Sequence, residues 1–355
     1  MTSTKCVSVV LRRASLIFAK NRFVIHPFVL IGICLLLTGR AVGQTSTASF
    51  VDRHGALSVK GTQLVDSEGQ PIVLKGMSFG WHVWWPQFWN KDVVKWLKDD
   101  WKCTVVRCAV GIEPDGGYLK SPEQATQLVE TVVDACIENG MYVIIDWHDH
   151  HASSHLEESK AFFIAMAKKY GKHPNVIYEI YNEPEKESWE SVKNYSEAII
   201  QAIRQIDPDN IILVGSPNWD QDVHSAADDP IVGVSNVMYT LHFYAATHKQ
   251  WLRDRADYAL QKGLPIFVSE YGGSEASGDG ILDIKEWNTW IEWMNDRNIS
   301  WCTWSISDKR EICSVLIPGA SAKGGWRSAD LSPSGQHARE LLRKHNGQII
   351  SREKE

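Results

Sequence analysis

Eight short runs of apolar and β-branched residues recur along the chain, at 73–77, 103–109, 142–147, 176–180, 211–215, 238–242, 266–270 and 301–305. Most lack the apolar–polar alternation of a half-exposed strand, which predicts parallel strands covered on both faces. Their starts lie about 33 residues apart on average, the length of one βα unit. The intervening segments have helical spacing. Ser121-Pro122-Glu123 opens one helix with proline at its first position, Ala125, Leu128, Val129, Val132 and Cys136 follow on one face, and Gly140 closes it. Val192, Tyr195, Ile199, Ala202 and Ile206 form a second stripe, ended by Asp207-Pro208, and Trp287, Trp290, Ile291 and Met294 form a third. Eight such units predict an α/β protein, a (β/α)8 TIM barrel in a single domain. An open doubly wound sheet shares the alternation, but no GxGxxG follows the first strand and no phosphate loop is present. Residues 57–74 alternate and turn at 67–70, which predicts a short N-terminal β-hairpin closing the bottom of the barrel.

The ends of the chain read differently. Residues 1–43 hold six basic groups and no acidic one, with an eleven-residue apolar run at 28–38 and small residues Ala41-Val42-Gly43 after it. This is the pattern of a secretory signal peptide cleaved near Gly43-Gln44, and the run is too short for the about 20 residues of a membrane span. The expected organisation is a signal peptide at 1–43, a short segment at 44–56, the barrel at 57–345 and a C-terminal tail at 346–355. A secreted protein with no stable membrane association after cleavage, and a monomer, is the expectation. Beyond residue 43 the balance is 31 basic against 43 acidic groups, which argues against a polyanionic partner such as nucleic acid. Cys103, Cys108, Cys136, Cys302 and Cys313 remain there without CxxC spacing. Cys302 and Cys313 are either a pair or buried free thiols. Asn194 and Asn298 begin glycosylation sequons. The chain has 16 Trp among 355 residues, enough to supply a surface that stacks on ring-shaped ligands as well as a core.

A barrel places its chemistry at the C-terminal ends of its strands. Those ends carry Arg107, His148, Asn182 with Glu183, His242 with Tyr244, Glu270 and Trp304. Any one has a structural reading, as a buried ion pair, a core histidine or a helix cap. Six ends of one barrel, all polar or aromatic, point to a functional site. Two carboxylates on opposite walls, with aromatics and no metal motif, suggest glycoside hydrolysis, in which one carboxyl starts protonated and the other ionised.

Ile180-Tyr181-Asn182-Glu183-Pro184 and Val268-Ser269-Glu270-Tyr271-Gly272 resemble the acid/base and nucleophile strands of glycoside hydrolase family 5. Ile145-Asp146-Trp147-His148, Leu241-His242-Phe243-Tyr244-Ala245 and Trp304-Ser305-Ile306-Ser307-Asp308-Lys309 complete a set that runs in the family's order from about 57 to 342 and is most similar to its β-1,4-endoglucanases. The resemblance implies a retaining hydrolase of β-1,4-linked glucan without a cofactor, with Glu183 as general acid and then base and Glu270 as nucleophile. It also implies that Arg107 lowers and orients Glu270, that Tyr244 donates to the same carboxylate, and that the surroundings of Glu183 disfavour its charge. Asn182 would hold the sugar 2-hydroxyl at subsite −1. His148 and His242 would bind hydroxyls or buttress carboxylates, Trp304 would floor the −1 sugar, and Lys309 and Glu311 would contact the −2 sugar.

The segment 76–85 departs from the bacterial pattern. His82 is expected near subsite −1 and Trp84 or Trp85 as the −2 platform. Gly111 stands where relatives can carry a substrate-side Tyr, so subsite −2 is expected to be built differently. The run His148, Asp149, His150, His151, His155 invites a metal reading, since barrel metallohydrolases place His-x-His at a strand end. Here the later strand ends supply Glu-Pro and Glu-Tyr-Gly instead of further ligands, so no catalytic metal is expected and His150, His151 and His155 read as loop residues beside the cleft. The alternatives are another β-glycanase acting on mannan, xyloglucan or lichenan, and a sugar-binding barrel without activity, which would not need both Glu183 and Glu270. Modest action on crystalline cellulose and better action on soluble glucan are expected.

Overall fold

The computed structural model describes residues 48–352. The leader assigned to 1–43 lies outside the described residues. Ser49 caps the short helix α1 (Phe50–His54) through a reciprocal capping box with Asp52. Strands β1 (Ser58–Lys60) and β2 (Gln63–Val65) pair antiparallel, Ser58 opposite Val65. The hairpin therefore turns at Gly61 (φ 61°), not at 67–70. The latter residues form a second turn, in which the Asp66 carboxylate accepts the amides of Glu68 and Gln70 at 3.0 and 2.9 Å. Asp66 competes for the backbone as aspartates do in turns, and both turns occur within one short segment.

Eight parallel strands follow: β3 (Lys75–Phe79), β4 (Val105–Gly111), β5 (Tyr142–His148), β6 (Val176–Glu179), β7 (Ile212–Val214), β8 (Val237–Tyr244), β9 (Ile266–Gly272) and β10 (Trp301–Ile306). They close in sequence order, β10 pairing with β3 in the register Trp301↔Lys75, which excludes the open sheet. The outer helices are α2 (Lys91–Trp96), α3 (Pro122–Asn139), α4 (Leu156–Tyr170), α5 (Trp189–Arg204), the one-turn α6 (Pro217–Asp220), α7 (Val223–Asp228), α8 (Gln250–Gln261), α9 (Ile284–Asp296) and α10 (Pro333–Arg352). Pro122 begins α3 and Gly140, at φ 63°, ends it, while the Ser121 side chain makes no cap bond. No helix among the described residues is long and apolar enough to cross a membrane. The helix α10 continues past the tail boundary expected at 346: Asn346 is buried and donates to the carbonyls of Lys75 and Lys102 at 3.1 and 2.8 Å.

Strand residues alternate between two covered faces. Outward Val106, Cys108, Val143, Ile145, Trp147, Tyr178 and Leu241 pack under the helices. Inward Val105, Tyr142, Ile144, Ile177, Leu213, Met238, Phe267 and Cys302 fill the lower barrel, where Leu57 and Leu64 of the hairpin segment join them. The hairpin thus plugs the end away from the chemistry. One residue pair higher, the same inward parity carries Arg107, Asp146, Glu179, Thr240 and Ser269, all buried. Cys103, Cys108, Cys136, Cys302 and Cys313 are buried free thiols, so Cys302 and Cys313 are not paired.

Trp290 shows how the outer layer supports the upper rim. It is fully buried, stacks on Phe243 of β8 at 3.9 Å and donates its indole N–H to the His248 carbonyl at 2.9 Å. Trp290→Ala is expected to cost about 3–5 kcal/mol in urea denaturation, as for large buried aromatics; a loss below about 1 kcal/mol would show that the stack contributes little.

Candidate active site

The upper barrel is organised by one guanidinium. Arg107, on β4 and fully buried, donates through Nε and Nη2 to Glu179 at 2.7 and 3.1 Å. Its Nη1 donates to Glu270 Oε2 at 2.8 Å, and its Nη2 also donates to Asn182 Oδ1 at 2.6 Å and lies 3.0 Å from Asp146. A planar fork of five N–H groups suits this task, which an ammonium group could not perform. Tyr244 donates to the other Glu270 oxygen at 2.6 Å. Asn182 spends its oxygen on Arg107, so its buried Nδ2 faces no partner in the protein. His148 Nδ1 bonds Asp146 at 2.7 Å, and its ring stacks on Trp304 at 5.2 Å with 2° between the planes.

Across the mouth, Glu183 meets His242 Nδ1 at 2.9 Å. The other imidazole nitrogen bonds Ser269 Oγ at 2.9 Å, and Ser269 donates to Glu179 at 2.6 Å. A hydrogen-bonded circuit therefore runs from Glu183 through His242, Ser269, Glu179 and Arg107 to Glu270. Oxygens of Glu183 and Glu270 lie within 4.8 Å of each other.

The charges of this circuit set one another. Burial alone would lower His242, but Asp220, Glu179, Glu183 and Glu270 raise it well above 6.5, which favours its imidazolium form. Burial pushes Glu183 up, yet the hydrogen bond and charge of His242, with His150 and Arg107 behind them, hold it below the ordinary glutamate value. Burial and the Glu183 charge push Glu270 above that value, against the pull of Arg107, His242 and Tyr244. This reverses the expectation that Arg107 keeps Glu270 low while its surroundings keep Glu183 high. The missing element was His242, whose hydrogen bond and charge favour the ionised form of Glu183. The carboxylates titrate as one coupled system. His148, in contrast, is buried and sits near the positive charges of Arg107 and His242, which hold it well below 6.5 and neutral.

Two adjoining cavities meet at Glu183 and Tyr244. One, of about 440 Å³, is lined by Glu270, Trp304, Lys309 and Glu311 and by Trp81, Trp84 and Trp85. The other, of about 560 Å³, is lined by Asn218, Trp219, Gln221, His242 and His248. Lys309 and Glu311 form an ion pair on the first wall. Trp84 is 53% exposed and stacks on Trp81 at 4.7 Å.

His82 does not line either cavity. It is buried, its Nδ1 accepts the Gly111 amide at 3.0 Å, its ring packs edge-on to Trp89, and burial pushes its pKa down to about 4. Trp81 takes the place expected of it, edge-on to His148 at 4.4 Å. Gly111 makes this possible, because a Cβ there would sit 2.8 Å from the Trp81 ring.

Sequence reasoning missed Trp81, Glu179, Ser269, Asp220 and the wall at 218–221. Glu179 and Ser269 carried a signal, as polar residues at inward parity within otherwise apolar strands. Asn218, Trp219 and Asp220 carried none: all three have left-handed backbone, φ 54–60°, rare for residues with side chains. That turn places Asp220 where it accepts from Thr240 at 2.5 Å and stands 3.4 Å from His242. Glu179, Asp220 and His242, and likewise Glu183, His242 and Glu270, have ligand atoms close enough for a metal. These atoms already serve Arg107, Ser269, Thr240 and Tyr244 in the circuit.

The arrangement offers a proton donor pair and a positioned carboxylate on opposite sides of an aromatic-walled cleft. Residues 65–310 match the Cellulase family, glycosyl hydrolase family 5. The chain is 46% identical to Endoglucanase A of Evansella cellulosilytica over 323 residues, covering 89% of this chain and 65% of that protein. It thus spans about two thirds of that relative's length. A solved protein of Cytophaga hutchinsonii is 49% identical with a TM-score of 0.84, over 85% of this chain and 99% of that one. The catalytic domain of Thermobifida fusca endoglucanase Cel5A is 35% identical with a TM-score of 0.80, over 83% and 99%, and a variant of it is solved in complex with cellotetraose.

The circuit predicts how stability follows pH. Burial raises Glu179, but Arg107 and the His242 hydrogen bond win and hold it at about 2 against an ordinary 4.5. Its contribution is present above about 4.5 and is lost as pH falls towards 2. The raised His242 contributes fully below 6.5 and loses its contribution as pH rises through its higher folded value. Urea midpoints measured against pH should fall on both sides, and Glu179→Gln should flatten the acid limb. An unchanged acid limb in that variant would remove Glu179 from the account.

Proposed function

This chain belongs to glycosyl hydrolase family 5, and we propose that it is a secreted, retaining endo-β-1,4-glucanase. The observation that carries the reading is the approach of Glu183 and Glu270 to within 4.8 Å, oxygen to oxygen. Retaining glycosidases hold their two carboxyls about 5–5.5 Å apart, whereas inverting ones leave roughly 6.5–9.5 Å for a water between them. The endoglucanase names of the relatives, and the cellotetraose bound to the Thermobifida fusca variant, support the substrate class. The leader pattern before residue 44 supports export.

In the first step the Glu270 carboxylate attacks the anomeric carbon while the bond to the leaving oxygen breaks. The Glu183–His242 pair gives its proton to that oxygen. Arg107 and Tyr244 orient Glu270, one on each of its oxygens. The Asn182 amide, with Nδ2 unpaired in the protein, is placed to hold the sugar 2-hydroxyl, a contact that strengthens in the transition state. Trp304, held parallel to His148, floors the −1 sugar. Trp81, Trp84, Lys309 and Glu311 receive the sugars beyond it, and Trp219 faces the leaving side. In the second step water attacks the anomeric carbon of the glycosyl ester, gives a proton to Glu183 and displaces the Glu270 carboxylate. With Glu270 esterified, one negative charge leaves the circuit.

Proton NMR of fresh cello-oligosaccharide hydrolysis should show the β-anomer first. An α-anomer first would mean inversion and new roles for both carboxylates. Glu183→Gln should lower kcat by about 10²–10⁴ on cello-oligosaccharides, and less on aryl cellobiosides whose leaving group needs no proton. Glu270→Gln should lose turnover on both. Near-normal hydrolysis by Glu270→Gln would end the assignment of Glu270 as nucleophile.

A further inference from the structure

The histidine-rich segment after β5 is only partly absorbed by the proposed reaction. His150 enters the first cavity, with Nδ1 3.7 Å from Glu183. Its neighbours turn the other way. His155 Nδ1 lies 2.8 Å from Asp149 Oδ2, and His151 Nδ1 lies 3.2 Å from Glu113 on the loop after β4. Ligand atoms of Glu113, Asp149 and His155 all fall within 4.8 Å of one another.

From this convergence we propose that Glu113, Asp149 and His155 form a non-catalytic site for a divalent transition metal of the zinc class, completed by His151, which pairs with Glu113 from outside the three-residue group. Two imidazoles and two carboxylates are the nitrogen–oxygen donor set that such ions take in four-coordinate sites. Two separate histidine–carboxylate pairs would need no common centre, whereas here Asp149 and Glu113 reach towards one another from different loops. Asp149 is also positioned in advance: it is buried, its Oδ1 accepts the His151 amide at 2.9 Å, and the Trp147 indole donates to its Oδ2 at 3.2 Å. Such outer contacts orient metal-binding carboxylates. The site joins the loops after β4 and β5, and His150 lies between two of its ligands. A bound ion would therefore fix the segment that carries His150 to the side of Glu183.

Calorimetric titration of the metal-stripped full chain with Zn²⁺ at pH 7.5 tests the site independently of any hydrolysis. The expected result is saturable binding of one equivalent. His155→Gln and Glu113→Gln should each weaken it roughly 10–100-fold or more. Both side chains are at least partly exposed, and circular dichroism checks their folding. His151→Gln, at an exposed position, serves as the further variant if either unfolds. Glu270→Gln and added cellotetraose should leave the binding unchanged. Three results would overturn the proposal: no saturable binding, undiminished binding in the rim variants, or loss with Glu270→Gln or cellotetraose, which would place the ion on Glu183, His242 and Glu270.

Discussion

The upper half of the barrel depends on the buried Arg107 guanidinium. A cation sealed inside a barrel is costly unless every N–H finds an acceptor and its charge is balanced. Arg107 meets that demand with Glu179, Asp146, Glu270 and Asn182, from β6, β5, β9 and the segment after β6. The requirement works in both directions. The same contacts that make Arg107 tolerable orient Glu270, turn the Asn182 amide so that its N–H₂ is free, and hold Glu179 ionised. Removing the guanidinium would leave several carboxylates crowded in a closed space. Tying the strands together and positioning the reacting groups are therefore a single set of bonds.

The period-2 geometry of strands explains how such a cluster is reached from a linear chain. Val105 and Arg107 share one face of β4, and Ile144 and Asp146 one face of β5. The lower member fills the core and the upper joins the circuit, so a polar residue two positions above an inward aliphatic marks the site. Arg107, His148, Asn182, Glu183, His242, Tyr244, Glu270 and Trp304 were legible from a different signal, their place at or just past the strand ends. The parity rule itself marks Glu179 and Ser269, two positions above inward Ile177 and Phe267 within otherwise apolar runs. The parallel strands followed from the βα spacing, while closure into a barrel rested on the count of eight units and the lack of nucleotide-binding motifs, and is seen directly in the pairing of β10 with β3.

What was not legible lies in loops, where position depends on tertiary packing and not on period. His82 and Trp81 are adjacent in sequence, and only the backbone path after β3 decides which of them enters the cleft. The absence of a side chain at Gly111, on the neighbouring strand, leaves the room that Trp81 occupies. A glycine that looked like a missing substrate contact is therefore the condition for a different one. The hairpin turn at Gly61 and the left-handed turn at 218–220 belong to the same class of features. Each is a short-range backbone choice that the hydrophobic pattern does not encode.

The protonation of the two glutamates also escaped the sequence, because it belongs to neither residue alone. The general acid of the proposed reaction needs a proton, yet the charges of His242, His150 and Arg107 favour an ionised Glu183. In that proposed reaction His242 resolves the conflict by carrying the proton itself, 2.9 Å from the Glu183 carboxylate. Its elevated affinity comes from Asp220, Glu179, Glu183 and Glu270 together. Esterification of Glu270 removes one of those charges and so weakens the hold of His242 on its proton. In the proposed cycle the pair that gave a proton in the first step must take one from water in the second. The circuit through Ser269 and Glu179 returns to Arg107, so a change of charge at Glu270 reaches Glu183 both directly and through the protein. The acid's strength is thus a property of the whole barrel mouth.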